Sequence, residues 1–209
     1  MNLSLIEKLL FSLVLGAIFP LLGFLAGWWG TFSFLTGGLS ILIAVVGLLV
    51  GIVVDIVYLK KWVSSAYSLD LKIWMAIYIF YSIGMFGMFM GLPVFNLLLA
   101  LPASLFMGSK LAHQRADDDE LRRMSGKVCL FTTGVLAVLC AASAAIALTD
   151  PYTAGDVQGM LGLPFEVTRP MLAGISVIGG AGLLLLQWLT TGFVTWMTYA
   201  IQKKAAGTS

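Results

Sequence analysis

The sequence predicts an all-α integral membrane protein, a compact bundle of six transmembrane helices with both termini in the cytoplasm. Three observations carry that expectation. Only 11% of the 209 residues are charged and 60% are apolar, with a mean hydropathy of +1.00, whereas soluble domains carry roughly 25% charged residues. The charges cluster, leaving uncharged stretches of about 20 residues, each long enough to cross roughly 30 Å of hydrocarbon as a helix. Finally, threading the chain six times from an inside N-terminus leaves nearly every basic residue on the cytoplasmic side, where Lys and Arg near span ends accumulate.

The apolar blocks run over about 9–29, 37–59, 73–92, 94–109, 128–149 and 170–200 of a single transmembrane domain, 1–209. The first, Leu9 to Trp29, exceeds the 7–15-residue core of a signal peptide and ends in Gly27-Trp28-Trp29-Gly30 without a clear small-residue cleavage site, so it is expected to remain as a helix. The third and fourth blocks share the residues between Lys72 and Lys110 and need a tight outer turn within Met90–Asn96. A re-entrant hairpin is the alternative there. The last block, between Arg169 and Lys203, spans about 50 Å as a straight helix and must tilt, bend or project, with Gly179-Gly180 and Gly192 as bend points.

With the N-terminus inside, Lys8, Lys60, Lys61, Lys72, Lys110, Arg115, Arg122, Arg123, Lys127, Lys203 and Lys204 are all cytoplasmic, and of the 12 basic residues Arg169 alone lies outside. An odd number of crossings would translocate a basic cluster. The reading therefore locates the chain in the cytoplasmic (inner) membrane, multi-pass.

Three connections carry information. Residues 60–72 mix Lys with Trp62 and Tyr67, a headgroup-layer pattern expected to lie flat on the membrane, with Ser68 or Asp70 capping helix three. Residues 110–127 hold Asp117-Asp118-Asp119-Glu120 and Arg122-Arg123, in which Asp118/Arg122 and Asp119/Arg123 can pair at i,i+4 on an extension of helix four. This hairpin is either a solvated turn or a docking site for a protein partner. Residues 150–169 combine acids with apolar Met160, Leu161 and Phe165, a composition suited to a lid over the outer mouth.

Helices in lipid associate through small residues at i, i+3 and i+4 and through polar side chains. Helix two carries Ser40, Ala44, Gly47, Gly51, Asp55 and Tyr58 on one face; helix one repeats Gly23 and Gly27, helix three Gly84, Gly87 and Gly91, and helix four Asn96, Ala100, Ser104 and Gly108. Helix six carries Ser176, Gly180, Gln187, Thr191, Thr195 and Thr198. Pro20 and Pro102 fall within spans and free backbone carbonyls there. Asp55 is an acid within a span, only about 7–8 Å along the axis from Lys60 and so near the cytoplasmic interface rather than at mid-membrane. It either pairs with a lysine such as Lys8 or Lys110 or contacts a proton, ion or substrate.

The net charge of +2 and the lack of a basic stripe argue against a nucleic-acid partner. One histidine, His113, among cytoplasmic charges rules out a bis-His haem or His-rich metal site, and no phosphate-binding glycine loop occurs. Cys129 and Cys140, about 16 Å apart on one helix, cannot bond to each other. No catalytic residue, cofactor or metal ligand is assigned. The size and six-helix plan with both ends inside resemble those of substrate-binding subunits of vitamin uptake systems, in architecture alone and without signature residues.

The leading reading is a small transport protein, or the membrane substrate-binding subunit of a transporter, holding a small solute. Its candidate contacts are Asp55, Asn96, Gln187, Thr191, Asp156 and Glu166. A second reading is a non-catalytic scaffold or accessory subunit binding protein partners through glycine-rich faces or the 110–127 hairpin. A third is an enzyme acting on a lipid-soluble substrate at Asp55, Tyr58, Lys60 and Lys61.

Overall fold

The computed structural model describes residues 5–32, 34, 38–89, 91–162 and 164–207. Gly37 at the start of the second block, Met90 in the expected turn and Leu163 lie outside the described residues, as do the side chains of Met160 and Leu161. Of the described residues 89% are helical and none is in a strand. Six helical stretches are long and apolar enough to cross a membrane: Glu7–Thr31, Gly38–Ser64, Leu71–Met88, Pro93–His113, Asp118–Thr149 and Arg169–Lys204. Each contains or overlaps one of the expected blocks, and together they fit a polytopic membrane protein.

Two compact units divide the chain at Ile77 and Tyr78. The first begins with α1 (Leu5–Gly16) and α2 (Ile18–Phe32), one apolar stretch interrupted at Ala17. Pro20 explains the joint, because it has no N–H to offer the carbonyl four residues earlier, that of Gly16. Helix α3 (Gly38–Ser64) packs along α2 through glycine. A Cβ on Gly23 would stand 2.1 Å from the Gly47 carbonyl oxygen, and one on Gly51 2.3 Å from that of Phe19. Ser40, Ala44, Gly51 and Asp55 on this face of α3 are buried, as their spacing predicts, but Tyr58 is half exposed and stacks on Trp62 at 5.7 Å.

Residues 60–72 are divided among three elements. Helix α3 continues to Ser64, a 3₁₀ turn covers Ala66–Ser68, and α4 (Leu71–Met88) starts at once. The amphipathic composition that suggested a headgroup-layer segment folds back on α1. Phe11 meets Tyr67 edge-on at 5.1 Å and Trp74 at 5.7 Å, and the Trp74 indole donates to the Ala66 carbonyl at 3.1 Å. Asp70 does cap the following helix, its carboxylate accepting from the Lys72 N–H at 3.0 Å.

In the second unit a turn at Phe89–Leu92, with Gly91 at φ 80°, leads into a 3₁₀ segment, Pro93–Leu99, and then α5 (Ala100–His113). Pro102 occupies the first turn of α5, where a missing N–H costs little. Helix α6 (Asp118–Thr149) begins at Asp117, whose carboxylate accepts from the Glu120 N–H at 2.7 Å. The acidic run therefore opens the fifth span rather than extending the fourth, since carboxylates suit a helix N-terminus. Among the described residues Asp118 pairs with Lys203, at 4.0 Å, and not with Arg122; Asp119 does not pair with Arg123. Residues 150–169 contain α7 (Thr153–Leu161), stopped by Gly162 at φ 60°. Helix α8 (Arg169–Gly207) runs without interruption through Gly179, Gly180 and Gly192, and packs along α5 and α6.

Candidate functional site

Two places gather polar side chains in apolar surroundings, one in each unit. In the first, Asp55 follows Gly51 by one turn of α3 and so faces the α1/α2 joint. A Cβ on Gly16 would come within 3.9 Å of the Asp55 carboxylate. A groove of about 780 Å³ opens here, lined by Lys8, Ser12, Pro20, Asp55, Lys60 and Ser64 among apolar residues that include Ile52 and Ile56. Asp55 is only 7% exposed and its Oδ1 has no hydrogen-bond partner. Lys8 lines the same groove without forming the expected ion pair, and Lys110 belongs to the second unit. An acid at the centre of a span costs roughly 2.5–3.5 kcal/mol to insert, so a carboxylate buried toward one end of a span with an unpartnered oxygen calls for a reason.

The second place lies between α4, the 3₁₀ segment and α8. Gln187 is fully buried and its Nε2 donates to the Tyr78 hydroxyl at 3.2 Å. Ser82, one turn beyond Tyr78 on α4, lends its backbone carbonyl to Asn96 Nδ2 at 2.9 Å. That contact fixes the Asn96 amide, because its oxygen cannot face another carbonyl oxygen. Ser82 Oγ, Asn96 Oδ1 and Gln187 Oε1 are left without partners, in residues 0–2% exposed. Rotating the Gln187 amide would exchange which of its atoms meets the phenol and still leave the other unmatched. An unsatisfied buried polar group costs about 1–3 kcal/mol, and three in one cluster are a strong departure from ordinary interiors.

Thr191 lies one turn along α8 from Gln187 and is fully buried, its hydroxyl 3.2 Å from that of Thr132 on α6. Thr195 and Thr198 return their hydroxyls to carbonyls one turn back, at 2.7 Å each, and so serve their own helix. Asn96, Ala100, Ser104 and Gly108 are all buried, and a Cβ on Gly108 would fall 2.6 Å from the Thr195 carbonyl oxygen.

Of the six site residues expected from sequence, the structure brings Asn96 and Gln187 into one cluster and places Thr191 a turn away. Asp55 sits in the first unit's groove, and Asp156 and Glu166 are exposed on the 150–169 segment. Sequence reasoning missed Tyr78 and Ser82. Their signal was present as a polar pair at i,i+4 within an otherwise apolar block. It also missed Glu7, buried in the first unit with the Tyr67 hydroxyl donating to it at 2.5 Å. Of the helix-three glycines, a Cβ at Gly84 or Gly87 would meet no atom of the described residues within 4 Å, whereas one at Gly91 would lie 3.5 Å from Phe86 and 4.0 Å from Ile146.

Among the described residues no group of three His, Cys, Asp or Glu is placed to hold a metal ion. Comparison with protein-family models, curated proteins and solved structures gives no significant match. Function must therefore be argued from these two places alone.

Proposed function

We propose that the chain is a small polytopic transport protein, or the membrane substrate-binding subunit of one, with both termini cytoplasmic. Its solute site is the Tyr78–Ser82–Asn96–Gln187 cluster, with Thr191 beside it. One observation carries the reading: three unpartnered polar atoms, from three different segments, share a cluster buried among apolar side chains. The cluster holds hydroxyls and amides and no charge, so the guest it suits is small, neutral and rich in O–H or N–H groups. An ion would lose its hydration shell there without a counter-charge in return.

Stopped-flow light scattering of proteoliposomes under urea and glycerol gradients tests this directly. The unaltered protein is expected to speed re-swelling over protein-free vesicles. The double variant Asn96→Leu/Gln187→Leu, which removes two orphaned acceptors and puts an apolar branch in place of each amide, is expected to cut that gain at least tenfold while keeping the protein folded. Re-swelling no faster than in empty vesicles, combined with no thermal stabilisation by either solute, would overturn the proposal.

A further inference from the structure

The groove of the first unit shares no residue with the solute cluster and has a different chemistry. It opposes charges of both signs: Lys8 and Lys60 with a buried carboxylate between apolar walls. Three simpler occupants fit it poorly. A bare cation or proton would use Asp55 but needs neither about 780 Å³ of space nor two lysines. An inorganic anion would use the lysines but meet Asp55 as a repulsive wall. A purely apolar chain would leave Asp55 Oδ1 as unpartnered as it is now.

A zwitterion with adjacent ammonium and phosphate groups satisfies all three side chains together. The apolar lining then says what such a headgroup is attached to. Ile52 and Ile56, one turn apart on α3, line the groove yet stay 38% and 77% exposed, so the apolar wall continues outward along the helix. In a chain whose surroundings are lipid, that exit path suits an acyl chain. We propose that this groove binds a phospholipid with a phosphoethanolamine headgroup. Its ammonium donates to Asp55 Oδ1, its phosphate lies between Lys8 and Lys60, and a chain runs along Ile52 and Ile56.

The ammonium carries the specificity, because it alone brings N–H donors and a positive charge to the carboxylate together: a glycerol headgroup offers uncharged O–H donors and a quaternary nitrogen offers charge without donors. Methylating the nitrogen stepwise removes those donors and keeps the positive charge. The α1/α2 joint contributes to the wall, since Ser12, Gly16 and Pro20 all line the groove and Gly16, without a side chain, leaves the Asp55 carboxylate uncovered.

Native mass spectrometry of the full-length protein in detergent, titrated with short-chain lipids, tests the assignment. The unaltered protein is expected to bind dihexanoyl-phosphatidylethanolamine about tenfold more tightly than the phosphatidylcholine or phosphatidylglycerol of equal chain length, as loss of a charge-assisted hydrogen bond requires. The mono- and dimethylated lipids should fall in between. Asp55→Asn is expected to erase the preference over phosphatidylglycerol, and Lys8→Gln/Lys60→Gln to weaken both lipids alike. Equal binding of the three headgroups by the unaltered protein would overturn the proposal, as would a preference that survives Asp55→Asn. Because the methylation series leaves the protein untouched, a variant that fails to fold does not shelter the idea. Free phosphoethanolamine binding as tightly as the lipid would also overturn it, in favour of a soluble zwitterion. The solute-flux assay reads a different unit, so failure of either proposal leaves the other standing.

Discussion

The two units differ in what chiefly holds their helices together. In residues 5–77 the backbones themselves touch: α2 and α3 meet through Gly23, Gly27, Gly47 and Gly51, with no side chain between them at the closest points. In residues 78–207 one glycine, Gly108, makes such an approach, to Thr195 on α8, and polar side chains add the rest, through Gln187 to Tyr78, Asn96 to Ser82, Thr132 to Thr191, and Tyr199 to the Ala116 carbonyl. Lipid offers no hydrophobic drive between helices, so dispersion at close range and interhelical hydrogen bonds are the two means available. The comparison teaches where each unit is vulnerable. Glycine contacts fail through added volume, whereas polar contacts fail through lost partners.

The largest expected effect follows from the first kind. Gly23→Ala would place a methyl 2.1 Å from the Gly47 carbonyl oxygen, and backbone on both sides leaves no flexible end to move aside. Overpacking of this sort costs about 3 kcal/mol or more when the helices must separate. Equilibrium unfolding in mixed micelles should show that loss for Gly23→Ala and again for Gly47→Ala. Gly84→Ala, which adds its methyl to open space, should instead match the parent or gain up to about 1 kcal/mol from a less flexible unfolded chain. A parent-like midpoint for Gly23→Ala would break the comparison at its base.

That contrast between glycines also shows how far the sequence could be read. Apolar length and charge spacing gave the six spans, because each depends on composition summed over 20 residues and not on any single contact. The small-residue stripes of helices one, two and four were legible for the same reason of periodicity. Gly84 and Gly87 have that periodicity too, and pack against nothing, since spacing says which residues share a face and not what stands opposite. The same limit governed the site. Gln187 and Asn96 were visible as polar residues in apolar spans, but Tyr78 and Ser82 became evident only when the fold brought α4 and α8 together. Asp156 and Glu166 were named for their charge in a long connection, where exposure is the ordinary outcome.

A smaller effect is expected at the polar contact that the glycine-joined unit does possess. Tyr67→Phe keeps the edge-on ring contact with Phe11 and removes the hydroxyl that donates to the buried Glu7. A hydrogen bond to a charged group contributes about 1.5–3 kcal/mol, so the unfolding midpoint should fall by less than for Gly23→Ala and by more than for a neutral bond in the second unit. Tyr67→Leu should cost more than Tyr67→Phe, since it removes the ring as well. Equal losses for the two would place the whole contribution in the ring and none in the hydroxyl.

The smallest effect sharpens the comparison most, because it separates joining from binding within the second unit. Thr132 and Thr191 are both fully buried, and their hydroxyls stand 3.2 Å apart. The Thr132 hydroxyl also has the Cys129 carbonyl at 3.3 Å, so its donor capacity is divided between two acceptors. A double-mutant cycle with Thr132→Val and Thr191→Val should therefore give a coupling of about 0.6 kcal/mol, the usual size for an interhelical hydrogen bond in lipid. Solute flux should change little, because this pair leaves neither hydroxyl orphaned. Asn96→Leu/Gln187→Leu should instead abolish flux, at a stability cost of about 1–3 kcal/mol from the bulkier side chains that the loss of unsatisfied groups partly offsets. If the threonine cycle instead moved flux as strongly as the amide variant, the polar stripe would act as a single path along α8, and the division between packing and binding residues would fall.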